Sequence, residues 1–205
     1  MKQPTIRLLY NYWNDVRGER LAPTRFEIEP SRISRVLSET FILERTSDGA
    51  HTFRLAGTRI CEQLGTELRG RDATWLAGPD RDILEAMLEK ITRDGGVGLF
   101  EFEATTKDRR RARFETVILP LVHPDDQITR YVGAMSAIEP PAWLGVDPLS
   151  PASILTHEVI WPDGRPHAVV AHSRQQLAFS PAFAQARVVR FDRRQFRILD
   201  GGRKE

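Results

Sequence analysis

The first apolar positions of the chain recur with the period of an α-helix. They are Ile6, Leu9, Tyr10, Trp13 and Val16, and together they form one face of the predicted helix. Such a stripe has to be buried, either on its own domain or on a second subunit. We predict a homodimer in which Ile6, Leu9, Tyr10 and Trp13 form the buried surface, with residues 1–38 as an N-terminal helical segment.

A strand hairpin and a longer helix follow. Residues 40–46 and 51–56 are rich in β-branched and aromatic side chains, and Asp48-Gly49 between them predicts a tight turn. A helix is predicted at residues 79–93, and Gly95-Gly96 ends it. Its apolar face consists of Ile83, Leu84, Met87, Leu88 and Ile91.

Three consecutive long strands are predicted next, at residues 97–106, 112–122 and 129–138. In the first of them Phe100 and Phe102 alternate with Glu101 and Glu103, so both rings are expected to point inward. The second strand is partly apolar on both faces, and its pattern leaves open which face is buried.

Several short motifs lie within these elements. They are Tyr12-Trp13, Ile42-Leu43-Glu44, the run from Phe53 to Thr58, the run from Leu64 to Gly70, and Leu119-Pro120-Leu121. On these motifs and on the order of the elements, residues 9–138 resemble the Per-Arnt-Sim (PAS) family, in particular small stand-alone PAS-type proteins of alphaproteobacteria. The resemblance implies an α+β fold, with a five-stranded antiparallel sheet, helices on one face and a cleft between them for a cofactor or metabolite.

The domain organisation follows from this pattern. We assign residues 39–139 to the PAS-like domain, residues 140–152 to a proline-rich linker, and residues 153–205 to a basic extension with partial order. Residues 154–161 within it could form a further strand. From residue 165 onward there are nine basic and three acidic residues, a net charge of +6, against +2 for the whole chain.

That charge asymmetry raises the possibility of an acidic partner. The basic side chains concerned are Arg187, Arg190, Arg193, Arg194 and Arg197, which alternate with valine and phenylalanine. Because no DNA-binding motif accompanies them, we do not expect nucleic acid to be the partner. A regulator that uses this tail on nucleic acid is kept as an alternative.

The sequence lacks the ligand residues and motifs that familiar cofactors require. Haem needs an axial His, Cys or Met, and no histidine lies between His51 and His123. Cys61 lies between Ile60 and Glu62, which does not match the cysteine motif of photoreactive flavin domains. The histidines are scattered, and no nucleophile motif is present. We therefore predict no cofactor, no metal and no catalytic residues, and consider only an unidentified small molecule as ligand.

A small ligand would need an apolar cavity between the sheet and the helices. The inward side chains that could line it are Trp75, Met87, Phe100, Phe102, Phe114 and Met135. They could equally fill it, because protein interiors are densely packed, and we favour a mostly filled core.

The function predicted from sequence is a cytoplasmic, non-enzymatic PAS-type sensor or adaptor that acts through a protein partner in a signalling pathway. A single cysteine fits a reducing compartment, and no segment is long and apolar enough to span a membrane. The alternative is a small enzyme or carrier on a cone-shaped α+β fold, which would need a buried His or Asp in its cavity.

Overall fold

The computed structural model describes residues 1–123 and 127–164 of the chain. One antiparallel sheet dominates this part. Its strands are β1 Thr40–Arg45, β2 His51–Ala56, β3 Val97–Thr106, β4 Arg111–Val122, β5 Ile128–Ile138 and β6 Leu149–Ile160. Their order across the sheet is β2-β1-β5-β4-β3-β6. Consecutive strands pair directly where a turn joins them, and β1 pairs with β5 in the middle of the sheet.

The helices connect and cover the strands. The α-helices are α1 Pro4–Arg17, α2 Thr58–Leu64 and α3 Arg81–Asp94, and 3-10 segments span Arg25–Glu27, Pro30–Glu39 and Ala73–Asp80. Gly95 ends α3 in the left-handed conformation, with a φ of 70°, and its N–H donates to the Ile91 carbonyl. The α+β class and the five strands predicted within residues 40–138 are confirmed.

The number of strands is a correction to the sequence prediction. The sheet has six strands, because β6 pairs antiparallel with β3 along most of its length. The prediction of five counted only the strands of the PAS-like segment. β6 begins inside the predicted linker and ends inside the predicted extension, so sheet pairing crosses the boundary drawn at residue 152.

Both faces of the sheet are buried, which explains the ambiguous pattern of β4. On one face Phe114 and Ile118 join a hydrophobic cluster with α2, α3 and the 3-10 segment before α3. On the other face Val117, Leu119 and Leu121 join a second cluster with α1. A strand that is covered on both sides has no polar face, and its hydrophobic run is therefore nearly continuous.

The position of α1 corrects the predicted dimer surface. Ile6, Leu9 and Trp13 are fully buried against the chain's own sheet, and Tyr10 is partly buried beside them. The indole N–H of Trp13 donates to the Pro120 carbonyl at 2.8 Å. The stripe is therefore already covered within one chain, because the second face of the sheet was available to it, and a homodimer would have to use another surface.

Two buried charged side chains fix the ends of α1. At its beginning, the Glu115 carboxylate of β4 accepts the backbone N–H groups of Lys2 and Gln3 at 2.7 and 2.6 Å. At its end, the Arg17 guanidinium donates to both carboxylate oxygens of Asp163 at 2.9 and 3.2 Å. Charged hydrogen bonds of this kind are stronger than neutral ones, so α1 is attached at both ends.

Candidate functional site

The six side chains predicted to line a cavity lie together in the larger hydrophobic cluster. Phe100, Phe102, Phe114, Met87 and Met135 are each at most 4% exposed, and Trp75 packs against them from the edge. The rings of Phe102 and Phe114 stack with centroids 5.2 Å apart, and those of Phe100 and Phe102 lie 5.9 Å apart. Phe102 therefore contacts both other rings, as in a filled core. Their role in ligand binding stays a prediction.

A buried polar group that was missed at the level of sequence lies beside this core. It consists of His51 at the start of β2, Tyr131 on β5 and Thr92 on α3. His51 is 2% exposed and Tyr131 is fully buried. The His51 Nε2 lies 3.3 Å from the Tyr131 hydroxyl, which also contacts the Thr92 hydroxyl.

The direction of these hydrogen bonds can be deduced from the number of protons. Thr92 donates its single hydroxyl proton to the Leu88 carbonyl at 2.8 Å. Tyr131 must then donate to Thr92, and its oxygen accepts from His51. His51 is therefore assigned as the neutral tautomer with the proton on Nε2. The result is a continuous chain of donors from β2 through β5 to α3.

Burial sets the acid–base properties of this group. It lowers the pKa of His51, because the charged imidazolium loses its hydration, and the nearby Arg45 lowers it further, while Glu89 and Asp72 oppose the shift. Burial also raises the pKa of Tyr131 to about 12, against the effect of the Thr92 hydrogen bond. Both groups are thus held in their neutral forms at neutral pH.

Strand alternation could have identified this group. His51 and Phe53 are two residues apart on β2, so both point to the same inner face. Tyr131 and the predicted pocket residue Met135 are four residues apart on β5, so they also share the inner face. What sequence could not indicate is that Thr92 of α3 would meet these strands.

A cleft of about 710 Å³ lies at the ends of β1, β4 and β5, next to this polar group. We call it the arginine cleft, because Arg20, Arg45 and Arg93 line it together with Thr92, Val122 and Thr129. Arg20 pairs with Glu27, Arg45 with Glu89 and Arg93 with Asp94, at 2.8, 3.2 and 2.9 Å. Each arginine therefore has a carboxylate partner, and the cleft is not strongly basic.

One polar atom in the wall of the arginine cleft has no hydrogen-bond partner within residues 1–123 and 127–164. It is the Nε of Arg45, which is buried although the rest of the side chain is half-exposed. Buried donors are usually satisfied.

Other predicted groups are placed differently. The basic side chains from Arg187 to Arg197 lie outside the described residues. In the described part of the chain, no three His, Cys, Asp or Glu side chains are grouped to hold a metal ion. Burial raises the pKa of the Cys61 thiol, which keeps it protonated and unreactive. No helix in the described segments has the length and hydropathy to span a membrane.

Comparison with known proteins gives one family match. The model of the family described as PAS domain matches residues 1–136, about two-thirds of the chain. No curated protein matches the chain.

Solved structures with a similar fold include light-oxygen-voltage (LOV) and PAS domains. A LOV domain studied with a flavin analogue is 16% identical, with a TM-score of 0.43, over 53% of this chain and 85% of that one. A LOV protein of Rhodobacter sphaeroides is 10% identical, with a TM-score of 0.42, over 56% and 71%. A PAS domain from Colwellia psychrerythraea is 15% identical, with a TM-score of 0.41, over 53% and 94%. At these scores no chromophore or photochemistry is transferred to this chain.

Proposed function

Because the chain belongs to the PAS domain family, we propose that it is a non-enzymatic signalling domain that acts mainly as an adaptor for a protein partner. PAS domains are sensory signalling modules, and they pass a signal on through interaction rather than through chemistry of their own. The choice between a ligand sensor and an adaptor rests on the interior of this chain.

The packing of Phe100, Phe102 and Phe114 is the observation that carries the proposal. Phe102 stacks on Phe114 and lies beside Phe100, in the space between sheet and helices where the PAS resemblance implies a ligand cleft. Opening a cavity there would require at least one ring to leave its contacts, at a cost of several kcal/mol for a phenylalanine. A protein partner bound at the surface requires no such rearrangement.

The buried histidine does not favour the enzyme alternative. His51 lines neither the arginine cleft nor four further pockets between described residues. Its pKa is lowered by burial and its Nε2 proton is held by Tyr131. A general base has to reach its substrate, and this imidazole is instead enclosed by the core.

The cytoplasmic location and the homodimer stay predictions.

Native mass spectrometry of the purified full-length chain tests the proposal. We expect a polypeptide of 23.4 kDa, or a multiple of it, without additional mass. A stoichiometric small molecule retained in the spectrum would contradict the adaptor and make the chain a ligand sensor.

A second candidate function is ligand sensing through the arginine cleft. The lining of a cleft of about 710 Å³ by three arginine side chains is the observation that favours it. If the spectrum does contain a ligand, two variants locate it. Arg45→Met should lose a ligand of the cleft and Phe102→Leu should keep it, whereas a ligand of the interior should give the reverse.

A further inference from the structure

Among the phenylalanines of the described residues, only Phe26 is exposed. Its side chain is 87% exposed. The remaining phenylalanines in residues 1–123 and 127–164 are Phe41, Phe53, Phe100, Phe102 and Phe114, and each is at most 3% exposed. A single exposed apolar side chain is common on protein surfaces, so its meaning depends on the residues that surround it.

The turn that carries Phe26 is rigid. Glu27 accepts the backbone N–H of Thr24 at 2.8 Å and its hydroxyl at 2.9 Å, as in a capping box. Arg20 donates to both oxygens of the same carboxylate at 2.8 and 3.1 Å, and lowers the pKa of Glu27 to about 2. The Val122 N–H donates to the Pro23 carbonyl at 3.0 Å, which joins the turn to β4. These contacts hold the backbone before and after Phe26.

A small pocket opens beside the ring. Its volume is about 230 Å³, and Leu121 and Val122 of β4 form its apolar side. Phe26 forms another wall, and the polar side chains of Arg25, His123, Thr129 and Arg130 complete it. The pocket has room for one apolar side chain, and burying such an anchor next to an aromatic ring is typical of the centre of a protein interface.

The charged residues around the pocket indicate which residues should flank the apolar side chain of a partner. Arg25 hydrogen-bonds only to the Ile28 carbonyl, at 3.2 Å, and has no carboxylate partner among the described residues. Arg130 shares Glu44 with Arg54, so two arginines compete for one carboxylate. Arginine pairs well with carboxylates across an interface, and a partner with Asp or Glu would complement both side chains.

We propose that Phe26 and this pocket, with Arg25 and Arg130, form the docking site for a partner protein. The partner contributes a segment with an apolar side chain between acidic residues. The apolar side chain enters the pocket against Phe26, and the carboxylates face the two arginines. This inference rests on the proposed adaptor function and specifies its surface and the chemistry of its partner.

Site-specific photo-crosslinking of the full-length chain tests the site. Benzoylphenylalanine is placed at position 26 and, as a matched control, at Leu155, which is 47% exposed on β6. Both forms are expressed in the source organism and the crosslinked segments are identified by mass spectrometry. We expect position 26 to capture one partner that position 155 does not, through a segment with apolar residues next to Asp or Glu.

A synthetic peptide with the sequence of the crosslinked segment then measures affinity. Phe26→Ser and Arg25→Glu should each weaken its binding at least tenfold, and Leu155→Ser should leave it unchanged. Circular dichroism of the variants should match the unsubstituted chain, because Phe26 is exposed and Arg25 is only partly buried.

Several outcomes would overturn the docking site. They are capture of a second copy of this chain at position 26, a segment without acidic residues, unchanged peptide affinity in both variants, or no crosslink at position 26. A partner captured at position 155 alone would reject the site and leave the adaptor function standing. No crosslink at either position, together with a ligand in the native mass spectrum, would reject both.

Discussion

At the scale of single residues, exposure separates side chains that hold the fold together from side chains that face a partner. Phe102 and Phe26 are the same amino acid in opposite environments, 2% and 87% exposed. Tyr131 is a buried polar residue, and its hydroxyl connects β5 to His51 of β2 and to Thr92 of α3. Each of these residues supports a different measurement.

Phe102→Ala should lower the free energy of unfolding by about 3–5 kcal/mol, because it removes a stacked ring from the core. Urea denaturation measures the change. Phe26→Ala is the matched control, and we expect it to stay within about 0.5 kcal/mol of the unsubstituted chain. Equal effects of the two substitutions would contradict the assignment of Phe102 to the core.

Tyr131→Phe should destabilise the chain by about 1–3 kcal/mol, since it leaves the buried Nε2–H of His51 without an acceptor. Urea denaturation at neutral pH gives this value. Thr129→Ser, a mild change at the edge of the arginine cleft on the same strand, serves as the control. A Tyr131→Phe chain as stable as its parent would mean that the hydroxyl makes no net contribution.

His51 should make the stability depend on pH. Its folded-state pKa is lowered from the ordinary 6.5, so below that pH the unfolded chain binds a proton that the folded chain does not. The unfolding free energy therefore falls as the pH drops below about 6.5. His51→Gln should make this slope shallower in urea denaturation between pH 8 and pH 5, and His157→Gln, at an exposed position of β6, should not. An unchanged slope in His51→Gln would disprove the role of this histidine.

At the scale of elements, α1 is held on the sheet by its apolar stripe and by charged contacts at both ends. Arg17 is buried, but its guanidinium has hydrogen-bond partners. Asn14 accepts from Nε at 2.9 Å, and Asp163 accepts from both terminal nitrogens. The contact between Arg17 and Asp163 joins α1 to the turn that follows β6. We expect these two elements to loosen together.

Arg17→Met should speed hydrogen exchange of the α1 amides roughly tenfold, which corresponds to about 1.4 kcal/mol of local stability. Residues 161–164 should exchange faster as well. Exchange measured by mass spectrometry tests this, with Arg7→Met on the exposed side of α1 as the control. Faster exchange confined to α1 would mean that the Asp163 contact does not couple the two elements.

At the scale of the whole molecule, β6 extends the sheet beyond the segment that matches the PAS family. The match ends at residue 136, whereas β6 spans Leu149–Ile160 and pairs with β3. β3 carries Phe100 and Phe102. The strand outside the family match therefore covers the edge of the strand that supplies the core aromatics.

A chain that ends at residue 147 should consequently be less stable than one that ends at residue 164. The shorter chain leaves the edge of β3 unpaired, and exposed strand edges promote aggregation. Thermal denaturation and size-exclusion chromatography compare the two chains. We expect a lower midpoint and aggregates for the shorter one, and equal behaviour would show that β6 is dispensable.

The positions of α1, α3 and the first five strands could be read from short-range patterns. The helical stripe of α1, the Asp48-Gly49 turn and the alternation of Phe100 and Phe102 predicted local structure correctly. The pocket residues were also predicted to lie together, and they do. These features depend on neighbours a few residues apart, whose periodicity and turn preferences are visible in the sequence.

By itself, the sequence determined the α+β class, five of the six strands and the cluster of inward aromatics. Only the tertiary structure decided that α1 covers the second face of its own sheet, that β6 lies beside β3, and that His51 meets Tyr131. The physical reason is sequence distance: His51 and Tyr131 are 80 residues apart, and Arg17 and Asp163 are 146 apart. Such contacts form only when the whole sheet is assembled, because no local pattern specifies which buried faces will meet.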